Sequence, residues 1–76
     1  MTLGEYRVGI TFNPSDNEMV DKIKRAAADL IDLVDTIEIR TKDETGGEVT
    51  RLKALAFTHI EDAAMWAVKA ATKPAR

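Results

Sequence analysis

The chain predicts an all-α protein: an antiparallel helical hairpin with an extended N-terminal arm, assembled into a compact homo-oligomer. Three observations predict it. Residues 51–73, RLKALAFTHIEDAAMWAVKAATK, read as one helix that is apolar or small around most of its circumference, so it asks for several packing neighbours rather than one. Val20, Ile23, Ala27, Leu30, Val34 and Ile37 recur at three- and four-residue steps, the seam of a helix packed nearly parallel to another. At 76 residues and without cysteine, a single domain of this kind would leave much of its core exposed if it stood alone, which leaves self-association as the route to burial. The expected layout is one domain over residues 1–76, with an arm at 1–14, a first helix at 15–38, a polar loop at 39–47 and a second helix at 48–73.

Each element has its own justification. Tyr6, Val8, Ile10 and Phe12 stand at alternate positions with Gly4 and Gly9 between them, the pattern of an extended arm that docks on helices rather than opening a sheet. Asn13-Pro14 ends the arm, since the residue before proline avoids the helical region. Ser15 and Glu18 then have capping-box spacing at the start of the first helix. Met19, Ala26 and Leu33 widen its apolar seam. Its charges run with Lys22, Lys24 and Arg25 early and Asp29, Asp32 and Asp35 late, which opposes the helix dipole and is unfavourable unless something anionic lies beside the early bases. A solvated face with Asp21 and Arg25 paired across one turn is the bland alternative. The loop ends in Gly46-Gly47, Thr45 and Glu48 repeat the capping-box spacing, and Pro74 stops the second helix. Seven alanines on that helix, Ala54 to Ala71, let neighbours approach closely, while Phe57, Met65 and Trp66 supply bulk for an oligomer interface.

Composition excludes several function classes. A net charge of −2 with interspersed signs does not suit a protein that coats long nucleic acid. No apolar run reaches membrane-spanning length and the first ten residues lack a signal-peptide pattern, so a cytoplasmic location is expected. Catalytic groups are scarce: His59 is the sole histidine, Ser15 the sole serine, and no nucleophile stands at a useful spacing from His59, so no enzyme is expected. Neither a phosphate-cradling glycine loop nor a metal-ligand cluster is present in the sequence, and no cofactor is expected.

What remains are cations and hydroxyls on otherwise apolar helices. Arg51 and Thr58 are seven residues apart, nearly two turns, and share a face. Several protomers meeting with that face inward would form a ring suited to a small multi-phosphate anion. The alternative is that Arg51 is a surface charge and Thr58 bonds back to a helix carbonyl. Phe12 with Lys24 and Arg25 makes a second possible site, an aromatic face beside cations able to stack a base and neutralise its phosphate. Phe12 serves equally well as a staple onto Met19.

The run ALAFTHIEDAAMWA over residues 54–67, with Arg51 ahead of it and Asp21-Lys22-Ile23-Lys24 in the first helix, resembles the phage anti-CBASS cyclic-oligonucleotide sponges, tiny helical proteins that sequester bacterial immune signals. The resemblance implies a homohexamer of helical hairpins that binds cyclic dinucleotides between paired protomers and cyclic trinucleotides where three converge, in the cytoplasm of the infected host. By position, Phe12 would stack on a base and Lys24, beside Arg25, would meet a phosphate, with Tyr6 a second candidate for the stacking ring. Arg51 and Thr58 would line the trinucleotide pocket. Ligand would be held without cleavage, blocking effector activation. The competing reading is a small helical oligomer that binds another protein, as an adaptor or phage accessory factor.

Overall fold

Three helices make up the computed structural model, which describes residues 1–39 and 46–76. They are α1 (Leu3–Val8), α2 (Glu18–Asp35) and α3 (Gly46–Ala71). α2 and α3 form the antiparallel hairpin. The Asn17 side chain at the start of α2 donates to the Ala71 carbonyl at the end of α3 (3.4 Å), and Lys53 near the start of α3 donates to the Asp35 and Ile37 carbonyls at the end of α2 (3.1 and 2.6 Å).

The extended arm is corrected: residues 3–8 are helical. Thr2 and Glu5 form a reciprocal capping box, the Thr2 hydroxyl accepting from the Glu5 N–H (3.1 Å) and the Glu5 carboxylate from the Thr2 N–H (2.8 Å). Gly9 closes the helix in the left-handed region (φ 64°, ψ 57°), which a glycine enters without steric cost. The alternating Tyr6, Val8, Ile10 and Phe12 therefore span a helical turn and a tight turn instead of a strand. Thr2-x-x-Glu5 was the signal that outweighed them.

α1 lies antiparallel along α2. The Gly4 N–H donates to Asp32 (2.7 Å) at one end, and Lys24 donates to the Gly9 carbonyl (2.9 Å) at the other. Gly4 is buried so closely against Ala28 that a Cβ there would sit 2.0 Å from the Ala28 carbonyl oxygen. This packing explains the reversed charge order of α2. Lys24 among its early bases meets the carbonyl end of α1, and its late Asp32 meets the N–H end, so at these two positions the opposed helices satisfy each other's terminal groups.

The first helix starts later than its expected capping box. Asn17 caps α2, its Oδ1 accepting from the Met19 and Val20 N–H groups (2.9 and 3.3 Å), while the Ser15 hydroxyl turns to Asn13 instead (3.5 Å). Asn13 binds the turn together through the Asn17 N–H and carbonyl (3.1 and 2.8 Å). Thr45, half of the second expected capping box, lies outside the described residues.

The buried line of α2 also shifts from the expected seam. Val20, Lys24, Ala28 and Ile31 are buried, whereas Leu30 and Ile37 turn outward, about half exposed (47% and 50%). The reason is that α2 is shared between α1 and α3, so its covered face is centred between them. Ala64 is the buried counterpart on α3. Leu52, Leu55, Met65 and Trp66 of α3 remain exposed, as do Leu33 of α2 and Tyr6 of α1. The hairpin therefore covers one side of α3 and leaves its other apolar side open, as the uninterrupted pattern of residues 51–73 anticipates. Among the described residues, no helix is long and apolar enough to cross a membrane.

Candidate functional site

Lys24 organises the region that sequence reading marked around Phe12. It projects from the second turn of α2 beneath the turn that follows α1, and its ammonium donates to the Gly9 and Phe12 carbonyl oxygens. Two of its three N–H groups are thereby used. The same ammonium lies 5.3 Å from the centroid of the Phe12 ring. Lys24 is buried, while the ring is largely exposed (71%). An aromatic face is thus held open to a ligand with a desolvated cation fixed beside it, the geometry in which a cation–π contact orients rather than merely attracts.

Two cavities meet at Lys24 and Val68. One, about 330 Å³, is bounded by Phe12, Pro14, Val20 and Thr72. The other, about 340 Å³, is bounded by Arg7, Glu61, Ala64 and Met65. Each is of the order of the smaller pockets that take small molecules.

Arg25 does not join this constellation. It faces an open groove of about 680 Å³ that also includes Ile10, Lys22 and Asp29, and it forms ion pairs with Glu5 of α1 and Asp29 one turn on (both 2.9 Å). Its hydrogen bond to Glu5 holds that carboxyl down at about 2, helped by the Thr2 backbone N–H, and both acids keep the guanidinium charged. Within the chain Arg25 is therefore a strap from α2 to α1. Tyr6 is exposed on α1.

Arg51 and Thr58 share the outer face of α3 and are both exposed. Arg51 pairs with Glu48 one turn back, a contact that lowers the Glu48 carboxyl and raises the guanidinium. The Thr58 hydroxyl donates to the Ala54 carbonyl (3.1 Å). Each hydroxyl or fork still has capacity beyond these bonds, since a threonine oxygen also accepts and a guanidinium carries five donors. About 10 Å of helix rise separates the two, which matches separate groups on a multi-phosphate ligand better than a single phosphate.

The three expected interface residues take different positions. Phe57 is half-buried, with the Arg7 guanidinium 5.0 Å from its centroid. Met65 and Trp66 are exposed, and the indole N–H of Trp66 donates to Asp62 (3.1 Å) with Lys69 5.3 Å from its ring. His59 is exposed with no nucleophile assembled around it in the contacts described. Among the described residues, no group of three or more His, Cys, Asp or Glu side chains could hold a metal ion.

Arg7 is the residue that sequence reading missed. As a lone cation in a segment read as an arm it had no pattern to mark it. Only the helical register of α1 turns it onto α3.

A family model described as "Acb2/Tad1, hairpin domain" matches residues 5–72, from α1 through the end of α3. No curated protein and no solved structure matches the chain.

Proposed function

We propose that this chain, which belongs to the Acb2/Tad1 hairpin-domain family of anti-CBASS sponges, sequesters cyclic di- or trinucleotides without cleaving them and so keeps a CBASS effector inactive in the cytoplasm of the infected host. The match over residues 5–72 is the observation that carries this reading. A binding role at that level needs no catalytic constellation. It works by mass action, with enough tight sites to lower free ligand.

The sites in this reading lie between protomers of a homohexamer. The open apolar side of α3, with Leu52, Leu55, Met65 and Trp66, supports association, because an isolated chain would leave these large side chains in water. In the dinucleotide site Phe12 stacks on a base and Lys24 offers its remaining N–H to a phosphate, with Tyr6 and Arg25 as further contacts from the assembled neighbours. In the trinucleotide site, copies of Arg51 and Thr58 converge. Arg51 would exchange its bond to an exposed Glu48 for a fork to phosphate, a stronger charge-assisted pair when desolvated.

Calorimetric titration with a panel of cyclic di- and trinucleotides tests this, followed by chromatography of ligand released on heating. Saturable binding with intact release supports the sponge. Degraded nucleotide, or no binding by a folded oligomer, overturns it.

The second reading is a helical oligomer that binds another protein. The pairing of Arg51 with Glu48 favours it, since that pair leaves the cation locally compensated. Arg51→Ala separates the two: the sponge reading expects the oligomer to persist and trinucleotide binding to be lost, whereas the adaptor reading expects partner binding to persist and Trp66→Ala to disrupt assembly.

A further inference from the structure

We infer that the cavity between α1 and α3 is a phosphate subsite whose principal ligand is Arg7, and that it receives a phosphodiester of a cyclic dinucleotide whose base stacks on Phe12. This rests on the reading that the chain binds cyclic nucleotides, and it adds a residue that the resemblance did not supply.

Three observations point there. Arg7 is half-buried, and its Nε is shielded from solvent without a hydrogen-bond acceptor among the described residues. A desolvated guanidinium N–H left without an acceptor carries a substantial penalty, which a small shift of the side chain toward an arriving oxyanion would remove. The guanidinium carbon lies over the Phe57 ring, 5.0 Å from its centroid, a cation–π contact that restrains the side chain at the edge of the cavity. The cavity of about 340 Å³ that Arg7 borders is also bordered by Lys24, whose ammonium has one N–H beyond its two carbonyl partners.

The arrangement places the two halves of a nucleotide on either side of one lysine. Phe12 and Lys24 border the first cavity, Arg7 and Lys24 the second, and Val68 floors both. A base over Phe12 would leave its phosphate beside Lys24, where that side chain alone offers a single donor. Arg7 supplies the planar, multidentate partner that Lys24 cannot. Glu61 borders the same cavity and opposes an anion there, so it tempers affinity.

The test uses the intact protein labelled at arginine nitrogen, following the Arg7 Nε–Hε resonance while inorganic phosphate and, separately, a panel of cyclic dinucleotides are titrated in. Saturable movement of that resonance with both probes supports the subsite. Alongside it, Arg7→Gln should weaken cyclic dinucleotide binding about tenfold or more, Arg7→Lys should weaken it less, and Glu61→Gln should strengthen it. Cyclic dinucleotide binding with the Arg7 resonance unmoved overturns this inference and leaves the sponge reading standing. Movement with phosphate, but no binding of any cyclic dinucleotide, overturns the assignment of the cavity to a cyclic dinucleotide and leaves trinucleotide sequestration to its own titration. Because Arg7 also makes a cation–π contact with Phe57, a variant that loosens α1 is recognised by its melting curve, and the resonance of the unsubstituted protein then decides.

Discussion

Lys24 and Lys53 are both buried, and both bond their ammonium to two backbone carbonyls, yet the two ends of the hairpin they stabilise have different chemical character. Lys53 closes α2: among the described residues no aromatic ring pairs with its ammonium, and the cavity beside it is bounded by Val34, Ile37, Val49, Leu52 and Ala56. It supplies the base that the last turn of α2 lacks, where a cation near exposed carbonyls is favourable. Lys24 closes α1 in the same way but carries Phe12 over its ammonium and has Arg7 across the adjoining cavity. The same bonding serves closure alone at one end, and closure together with a polar, aromatic-edged recess at the other. A buried lysine is thus not by itself a sign of a binding site. What distinguishes the two is the surplus of polar and aromatic groups not needed for closure.

The most severe way to break the comparison is Gly4→Ala. Its Cβ would meet the Ala28 carbonyl at 2.0 Å, so α1 must shift, at a cost on the order of 3 kcal/mol. Denaturant melting should show that loss, and the turn holding Phe12 should become protease-sensitive while the Lys53 end keeps its protection. Survival of the Phe12 turn would mean that Lys24 holds it without α1.

Next in size, Lys53→Met and Lys24→Met should each cost about 1–3 kcal/mol, because each strips two carbonyls of their donor. Cyclic dinucleotide titration of the folded variants sharpens the contrast: affinity should fall with Lys24→Met and stay unchanged with Lys53→Met. Equal effects would erase the distinction between the two ends.

A smaller effect follows from acid. Glu5, which straps α1 to α2 through Arg25, has its pKa lowered from 4.5 to about 2 by that pair. A depressed carboxyl stabilises the fold above the unfolded value and loses that contribution as pH falls from about 4.5 towards 2. Glu5→Gln should therefore flatten the acid limb of the stability profile and loosen the Phe12 end first, as amide exchange can follow. Glu48→Gln should be the weakest change, since its exposed partner Arg51 sits on the same helix and no second helix is tied by the pair.

The sequence made the hairpin legible because long periodic helices announce themselves. The second was expected at 48–73 and spans Gly46–Ala71, and the over-apolar pattern of α3 corresponds to an open face in the chain. α1 was not legible, although Thr2-x-x-Glu5 was in view, because six residues are too few to be helical without tertiary support. That support is the contact of Gly4 with Ala28, which no local pattern encodes. Residue chemistry offered Phe12 beside Lys24 as one of two alternatives, the other being a staple onto Met19, and it is the fold that puts the ammonium 5.3 Å from the ring. The diversion of Arg25 to Glu5 and the placing of Arg7 against Phe57 were not, since both depend on the helical phase of α1.

The left-handed Gly9 and the lysine beneath it have a thermodynamic corollary. A loop that orders only when its ligand arrives surrenders conformational entropy at every encounter, whereas the segment bearing Phe12 is already tethered through its own carbonyls when the chain folds. That entropy is spent once, in making the protein, and association is left to be opposed mainly by the freedom of the incoming molecule. In the proposed site this preordering should tighten the hold on a ligand, which is what any molecule that works by sequestering another depends on.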